Sequence, residues 1–261
     1  MTLRTLLPPR PPAAGPSRWG VRRTARLTFP EPSALAADPV HAARLRRYLT
    51  DLLAPYGLAL APYGPSPAVD APAGGQPSGQ SYGQPSGQSY GEMAEALIRA
   101  VVPAGEQVDL LVLAHAVPDL TPGRATACWL SHRCPGAPLS FAVTGPDGTA
   151  AFTALRLLTA YADTAGLRRA LLLVVEQDWL PYDPGVPVAV PATSRGVALL
   201  FGDPLPGERV LRLDPAGIAP AGPHPADPAQ PGTGLWWELG ALPDPGALPD
   251  PGALPDPGAP R

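Results

Sequence analysis

The side chains able to do chemistry in this sequence are few and far apart. The chain has 4 histidines and 2 cysteines, and its 19 Lys+Arg residues are all arginine, with no asparagine anywhere. Without lysine there is neither a Schiff-base amine nor the lysine of a phosphate loop. His115 follows the apolar run VDLLVLA, at the kind of strand end where α/β proteins place functional side chains. Two readings stay open for it: a pocket-lining imidazole, or a hydrogen-bonded loop histidine. Cys128, His132 and Cys134 lie within seven positions of one another. Three such close groups need a fourth to make a tetrahedral zinc site, so no metal is expected. Cys128 sits among apolar neighbours, which predicts a buried, inert thiol. Glu176 ends another apolar run, LLLVVE. Asp147 precedes Gly-Thr at the start of a long helical pattern, as a helix N-cap does, a feature worth about 1 kcal/mol. Ser194 lacks the Gly-x-Ser-x-Gly elbow of a hydrolase, and His224 lies in the Pro-rich AGPHPADP, a solvated loop context. Gly145-Pro146-Asp147-Gly148 follows a strand pattern without the G-x-G-x-x-G order, so no nucleotide cofactor is expected.

These residues are carried by a recognisable run of elements. Residues 21–29 (VRRTARLTF) alternate in part like a half-buried strand, and Asp38 can cap a helix running to about residue 54, with Leu45, Tyr48, Leu49 and Leu52 along one face. Residues 92–102 predict a helix, 108–114 a strand, 122–133 a short helix, and 139–144 a strand. A helix over 148–164 and strands at 170–176 and 196–201 complete the series. Helices alternating with mostly apolar strands mean a mixed, mostly parallel five-stranded sheet with helices on both faces. The helix at 148–164 has apolar residues nearly all the way round, so it is expected to be covered on both sides.

Composition limits the rest. Among 261 residues, 40 are Pro and 28 Gly, about a quarter of the chain, while 45% are hydrophobic and 16% charged. Packable and low-complexity stretches must therefore alternate. The expected organisation is a disordered lead (1–16), one domain (17–213) with a low-complexity insert (62–91), an irregular segment (214–240), and a disordered tail (241–261). The insert repeats GQPSGQSY twice and the tail repeats ALPDPG three times; neither has enough apolar surface to offset its ordering entropy. Trp236-Trp237-Glu238-Leu239, in the irregular segment, predicts either a short strand or hook packing on the sheet, or a docking anchor. The longest apolar run (170–175) is of strand length, which excludes a helical membrane span, and the Pro-broken start argues against a secretory signal. A net charge of −3 gives no electrostatic reason to bind nucleic acid, and two cysteines make no disulfide framework.

An ordered, regularly spaced series of blocks carries a family resemblance: VDLLVLAHAVPDLTPGRATACWLSHRC, APLSFAVTGPDGTAAFTAL, LRRALLLVVEQDW and GVALLFG. They resemble the N-terminal half of ketoacyl-ACP synthase III enzymes, of thiolase fold, over roughly residues 92–202. The resemblance implies that the long helix at 148–164 is sandwiched, and that the turn before it is the family's nucleophile elbow. Asp147 falls where the family has its cysteine, Cys128 on a non-catalytic helix cysteine, and Glu176 on the family's strand-terminal Glu near the dimer interface, which implies a structural hydrogen-bonding role. Condensation needs a thiolate that survives as a thioester, and a carboxylate there would give a mixed anhydride. The family's catalytic asparagine has no counterpart, since the sequence contains none. The resemblance thus implies a cytoplasmic, non-condensing accessory subunit of acyl-carrier-linked fatty-acyl or polyketide biosynthesis. Its expected partner is a second copy or another thiolase-fold protein, with acyl carrier protein or acyl-CoA as further partners and no cofactor. Two alternatives remain: an acyltransferase or decarboxylase using Asp147 with His115, and a decayed, functionless fragment.

Overall fold

The computed structural model describes residues 19–60, 88–121, 125–145, 148–165, 167–180, 182–183, 189–205, 210–211, 213, 227 and 229–241. Asp147, His224, the expected lead, most of the insert and most of the tail lie outside the described residues.

Five strands form one mixed sheet: β1 (Gly20–Thr28), β3 (Leu110–His115), β4 (Leu139–Thr144), β5 (Arg169–Glu176) and β7 (Arg195–Gly202). Their spatial order is β1-β7-β5-β3-β4. β3 runs parallel to β4 and β5, whereas β7 is antiparallel to both β5 and β1. β5 and β7 are buried almost along their whole lengths, which is why they read as unbroken apolar runs. Alternate residues then serve opposite faces. Leu111, Leu113, Leu171, Leu173 and Val175 pack under helix α2 (Tyr90–Val101), beside Leu130 of α3 (Thr126–Ser131). Leu110, Val112, Ala114, Leu172 and Val174 pack under α4 (Thr149–Ala165), with Trp236 of α5 (Gly234–Ala241) beside them. The expected mixed five-stranded α/β sheet with helices on both faces is therefore the observed one, but it is not mostly parallel: β7 runs against both its neighbours, so two of the four pairings are antiparallel.

Outside the main layers, α1 (Pro39–Leu53) packs Leu45, Leu49 and Leu53 against Leu120 and Trp179. The short pair β2 (Ala59–Leu60) and β6 (Tyr182–Asp183) adjoins that cluster. Asp38 caps α1 as expected, accepting a hydrogen bond from the Val40 amide at 2.9 Å. The buried stripe of α1 is His41, Leu45, Leu49 and Leu53, so Tyr48 and Leu52 are outward rather than on the packed face.

Other expectations need correction. The insert does not extend to residue 91: Ser89 and Tyr90, from the second GQPSGQSY repeat, open α2. Ser89 accepts from the Glu92 amide while the Glu92 carboxylate accepts from the Ser89 amide, a reciprocal capping box that a flexible insert could not hold. The WWEL segment is neither strand nor irregular hook but part of α5, docked on the sheet through Trp236. Cys128 is exposed, not buried, because α3 is only Thr126–Ser131 and turns Ala127 and Leu130 inward. Finally, among the described residues α4 keeps a partly exposed side. Ala150, Ala151, Ala154, Leu155 and Leu158 face the sheet, Phe152 meets Trp236 with ring centroids 5.3 Å apart, and Leu157 and Tyr161 face outward. Small residues every three to four positions let one face of α4 lie close on the strands, while Tyr161 meets the Phe141 ring at 5.8 Å between centroids and, among the described residues, Leu157 and Tyr161 stay partly exposed.

Candidate functional site

The carboxyl ends of the three parallel strands come together, as the register pairs His115 with Thr144 and sets β5 on the other side of β3. A cavity of about 370 Å³ opens there. That is the size of a small-molecule pocket, at the place where α/β sheets commonly bind ligands. Ala114, Ala150, Ala151 and Val174 give it apolar walls, and Tyr90, His115, Glu176 and Gln177 bring polar groups to it. Leu180, Tyr182, Ala189 and Pro191 line a further side, and Pro231 and Gly232, just before α5, another.

His115 Nδ1 lies 3.0 Å from the Val117 carbonyl oxygen. A carbonyl only accepts, so Nδ1 carries the proton, and in a neutral ring Nε2 is then the acceptor. Burial lowers the pKa of His115, although the Val117 carbonyl opposes the shift, so the ring stays neutral near pH 7. Its ring lies against Tyr90, centroids 4.8 Å apart. Tyr90 in turn donates its hydroxyl to the same Val117 carbonyl at 3.1 Å. Burial, then the charges of Asp119 and Glu176, raise the Tyr90 pKa well above the ordinary phenol value, so it remains a neutral hydroxyl. The Tyr90 amide donates to Asp119 at 3.0 Å, and Asp119 also accepts from the Thr126 hydroxyl, tying the starts of α2 and α3 to the loop after β3.

Glu176 has the structural hydrogen-bonding role the resemblance implies, with a partner set that the sequence did not reveal. One carboxylate oxygen accepts from the Gly232 amide at 2.8 Å, and the other accepts a short bond from the Thr233 hydroxyl. Thr233 itself accepts from Arg195 Nε at 2.6 Å. The hydroxyl has one proton and is already an acceptor, so the relay runs from Arg195 through Thr233 to Glu176. Burial raises the Glu176 pKa, while Thr233, Gly232 and Arg195 oppose it. Two donors on two oxygens are the pattern of an ionised carboxyl.

Cys134 and Ser194 lie apart from the cavity lining. Cys134 is buried in the core under α2, and burial pushes its thiol up to about 12, so it holds its proton and is inert. Ser194 donates to Asp178 at 2.7 Å and accepts from the Asp178 amide, with no histidine in that pair. No group of three or more metal-ligating side chains occurs among the described residues. Gly148, next to Asp147, lines the cavity and has φ +75°, so the turn before α4 borders the same space as His115. Of the expected site residues, His115 is therefore in the cavity and Asp147 is not described. Tyr90, Gln177 and Thr233 were missed. The Ser-x-x-Glu capping signature at Ser89–Glu92 could have revealed Tyr90 as a helix residue, but nothing in PGTGLWW announces Thr233 as a partner of Glu176.

No family model matches this chain, and no curated protein does. Solved structures of the ketoacyl-ACP synthase III kind and other thiolase-fold proteins are similar to it. A 3-oxoacyl-(acyl-carrier-protein) synthase III is 17% identical, with 72% of this chain and 50% of that one covered and a TM-score of 0.40. The FabH of Pseudomonas aeruginosa PAO1 is 16% identical over 73% of this chain and 52% of its own, TM-score 0.38. OleA of Xanthomonas campestris, with bound lauric acid and lauroyl-CoA, is 13% identical over 71% of this chain and 56% of its own, TM-score 0.40. The chain thus spans about half the length of the structures it matches.

Proposed function

We propose that this chain is a non-condensing, thiolase-fold subunit of acyl-carrier-linked fatty-acyl or polyketide biosynthesis, acting in the cytoplasm and pairing with itself or with another thiolase-fold protein. The observation that carries the proposal is the chemistry of the cavity: among its described lining residues there is no sulfur. Of the two cysteines, one is exposed on α3 and the other is buried with its proton held. A thioester-forming condensation needs a thiolate at that turn. The pairing is supported by apolar surface left exposed among the described residues. β4 is an edge strand, bonded on one side only to β3 among the described residues, and Leu139, Leu157 and Tyr161 are exposed along it and α4.

Mass measurement of the purified chain in solution, alone and mixed with a full-length ketosynthase, tests the pairing. A dimer, or a complex with the ketosynthase, is expected. A monomer that ignores the ketosynthase and binds no hydrophobic dye refutes it. Incubation with malonyl-ACP and acyl-CoA tests the chemistry: no condensed product and no covalently acylated chain are expected. One observation favours a second reading, transfer or decarboxylation of an acyl group by Asp147 and His115: the neutral His115 ring reaches the cavity bordered by the turn at Gly148. Under that reading turnover occurs and is lost in Asp147→Ala and in His115→Phe.

A further inference from the structure

The cavity's polar groups define a ligand class of their own, independent of whether the chain pairs. His115 gives its one ring proton to the Val117 carbonyl, so the ring, which lines the cavity, keeps a lone pair at Nε2. No partner for Nε2 exists among the described residues. Tyr90 spends its proton on the same carbonyl, leaving its oxygen as an acceptor. Glu176 accepts with both oxygens. His115, Tyr90 and Glu176 thus present acceptors and the buried, unpartnered Gln177 Oε1 adds another, while the Thr144 and Tyr182 hydroxyls of the lining can either give or accept a proton. The described lining residues include no arginine, and the chain has no lysine, so no cationic side chain greets an anion. A carboxylate entering would instead meet the Glu176 carboxylate in a poorly solvated space, where like charges repel strongly.

We propose that the cavity at the carboxyl ends of β3, β4 and β5 is a binding site for a small neutral alcohol with an apolar tail, its hydroxyl donating to His115 Nε2 and its tail lying along Ala114, Ala150, Ala151 and Val174. The volume of about 370 Å³ suits a chain of medium length. Two features give selectivity. A ligand of the same shape without the O–H proton leaves Nε2 unpaired, and a carboxylic acid of the same length carries the wrong charge.

Octan-1-ol, heptyl methyl ether and octanoate are matched probes for titration against the full chain at pH 8, followed by calorimetry or ligand-observed NMR. Saturable binding of octan-1-ol is expected, with the ether about tenfold weaker, the worth of one net hydrogen bond. Octanoate is expected to be weaker still. His115→Phe keeps a ring against Tyr90 and removes the acceptor, so octan-1-ol should fall to the affinity of the ether while the ether is unchanged. The proposal is overturned if octan-1-ol does not saturate, if the ether or octanoate binds as tightly as the alcohol, or if His115→Phe leaves the alcohol-to-ether ratio intact. The comparison of the three probes on the unaltered chain decides the matter even where the variant fails to fold. Loss of the pairing or acylation results above would leave this outcome untouched.

Discussion

Replacing Thr233 by Val keeps the shape of the side chain and swaps for a methyl the hydroxyl that bonds both Arg195 and Glu176, leaving those two only their direct ion pair at 3.6 Å. Both neighbours are buried, so each is left without a partner it had. Breaking hydrogen bonds to charged groups costs about 1.5–3 kcal/mol, and water cannot easily enter to replace the hydroxyl. About 2–3 kcal/mol is expected near pH 8, or roughly 5–10 °C in Tm for a domain of this size. The loss also carries a sign in pH. Burial holds the Glu176 pKa above its ordinary value of 4.5. Between 4.5 and that higher value the folded chain therefore binds more protons than the unfolded chain, and stability falls as pH rises. Removing the Thr233 donor takes away the largest influence opposing the shift, so the folded pKa climbs and the fall becomes deeper. At pH 4 the carboxyl is mostly protonated in both states, and the deficit shrinks to about 1 kcal/mol, the worth of a neutral bond. Urea unfolding of wild type, Thr233→Val and Thr233→Ser at pH 4 and pH 8 measures this, with Ser recovering most of the loss. Equal deficits at the two pH values, or a larger one at pH 4, would falsify the account of Glu176 as a buried carboxylate held ionised by the C-terminal segment.

Three further outcomes follow from the same contacts. Trp236→Ala empties a site that is 1% exposed beside Phe152 and should cost about 3–5 kcal/mol by denaturant unfolding; a loss under 1 kcal/mol would mean α5 does not dock. Gly148→Ala places a Cβ 2.4 Å from the Pro231 carbonyl oxygen at φ +75°, so about 2 kcal/mol or more of stability should be lost, with faster proteolysis after residue 227 as the C-terminal segment is pushed off. Iodoacetamide at pH 8 should label Cys128 alone in the folded chain and both cysteines in urea, read by intact mass; native labelling of Cys134 would contradict its protonated, buried state.

Much of the scaffold was legible because its causes are local or nearly so. The apolar runs at β3, β5 and β7 announce strands buried on both faces, Asp38 announces the start of α1, and the order of helices and strands announces a covered α/β sheet. The placement of His115 at a strand end was likewise readable, since the carboxyl edge of such a sheet is where strands deliver side chains to a crevice. Tertiary structure decided what touches what across long separations. Glu176 meets Thr233 across 57 positions, Arg195 meets Thr233 across 38, and Tyr90 shares the Val117 carbonyl with His115. No pattern in PGTGLWW or GQPSGQSY encodes those meetings, because hydrogen-bond partners are chosen by the packing that brings backbones together, not by the residues' own propensities. The same holds for the outward faces of Cys128 and Leu157: helical phase says which residues share a side, and only the docked sheet says which side is inside.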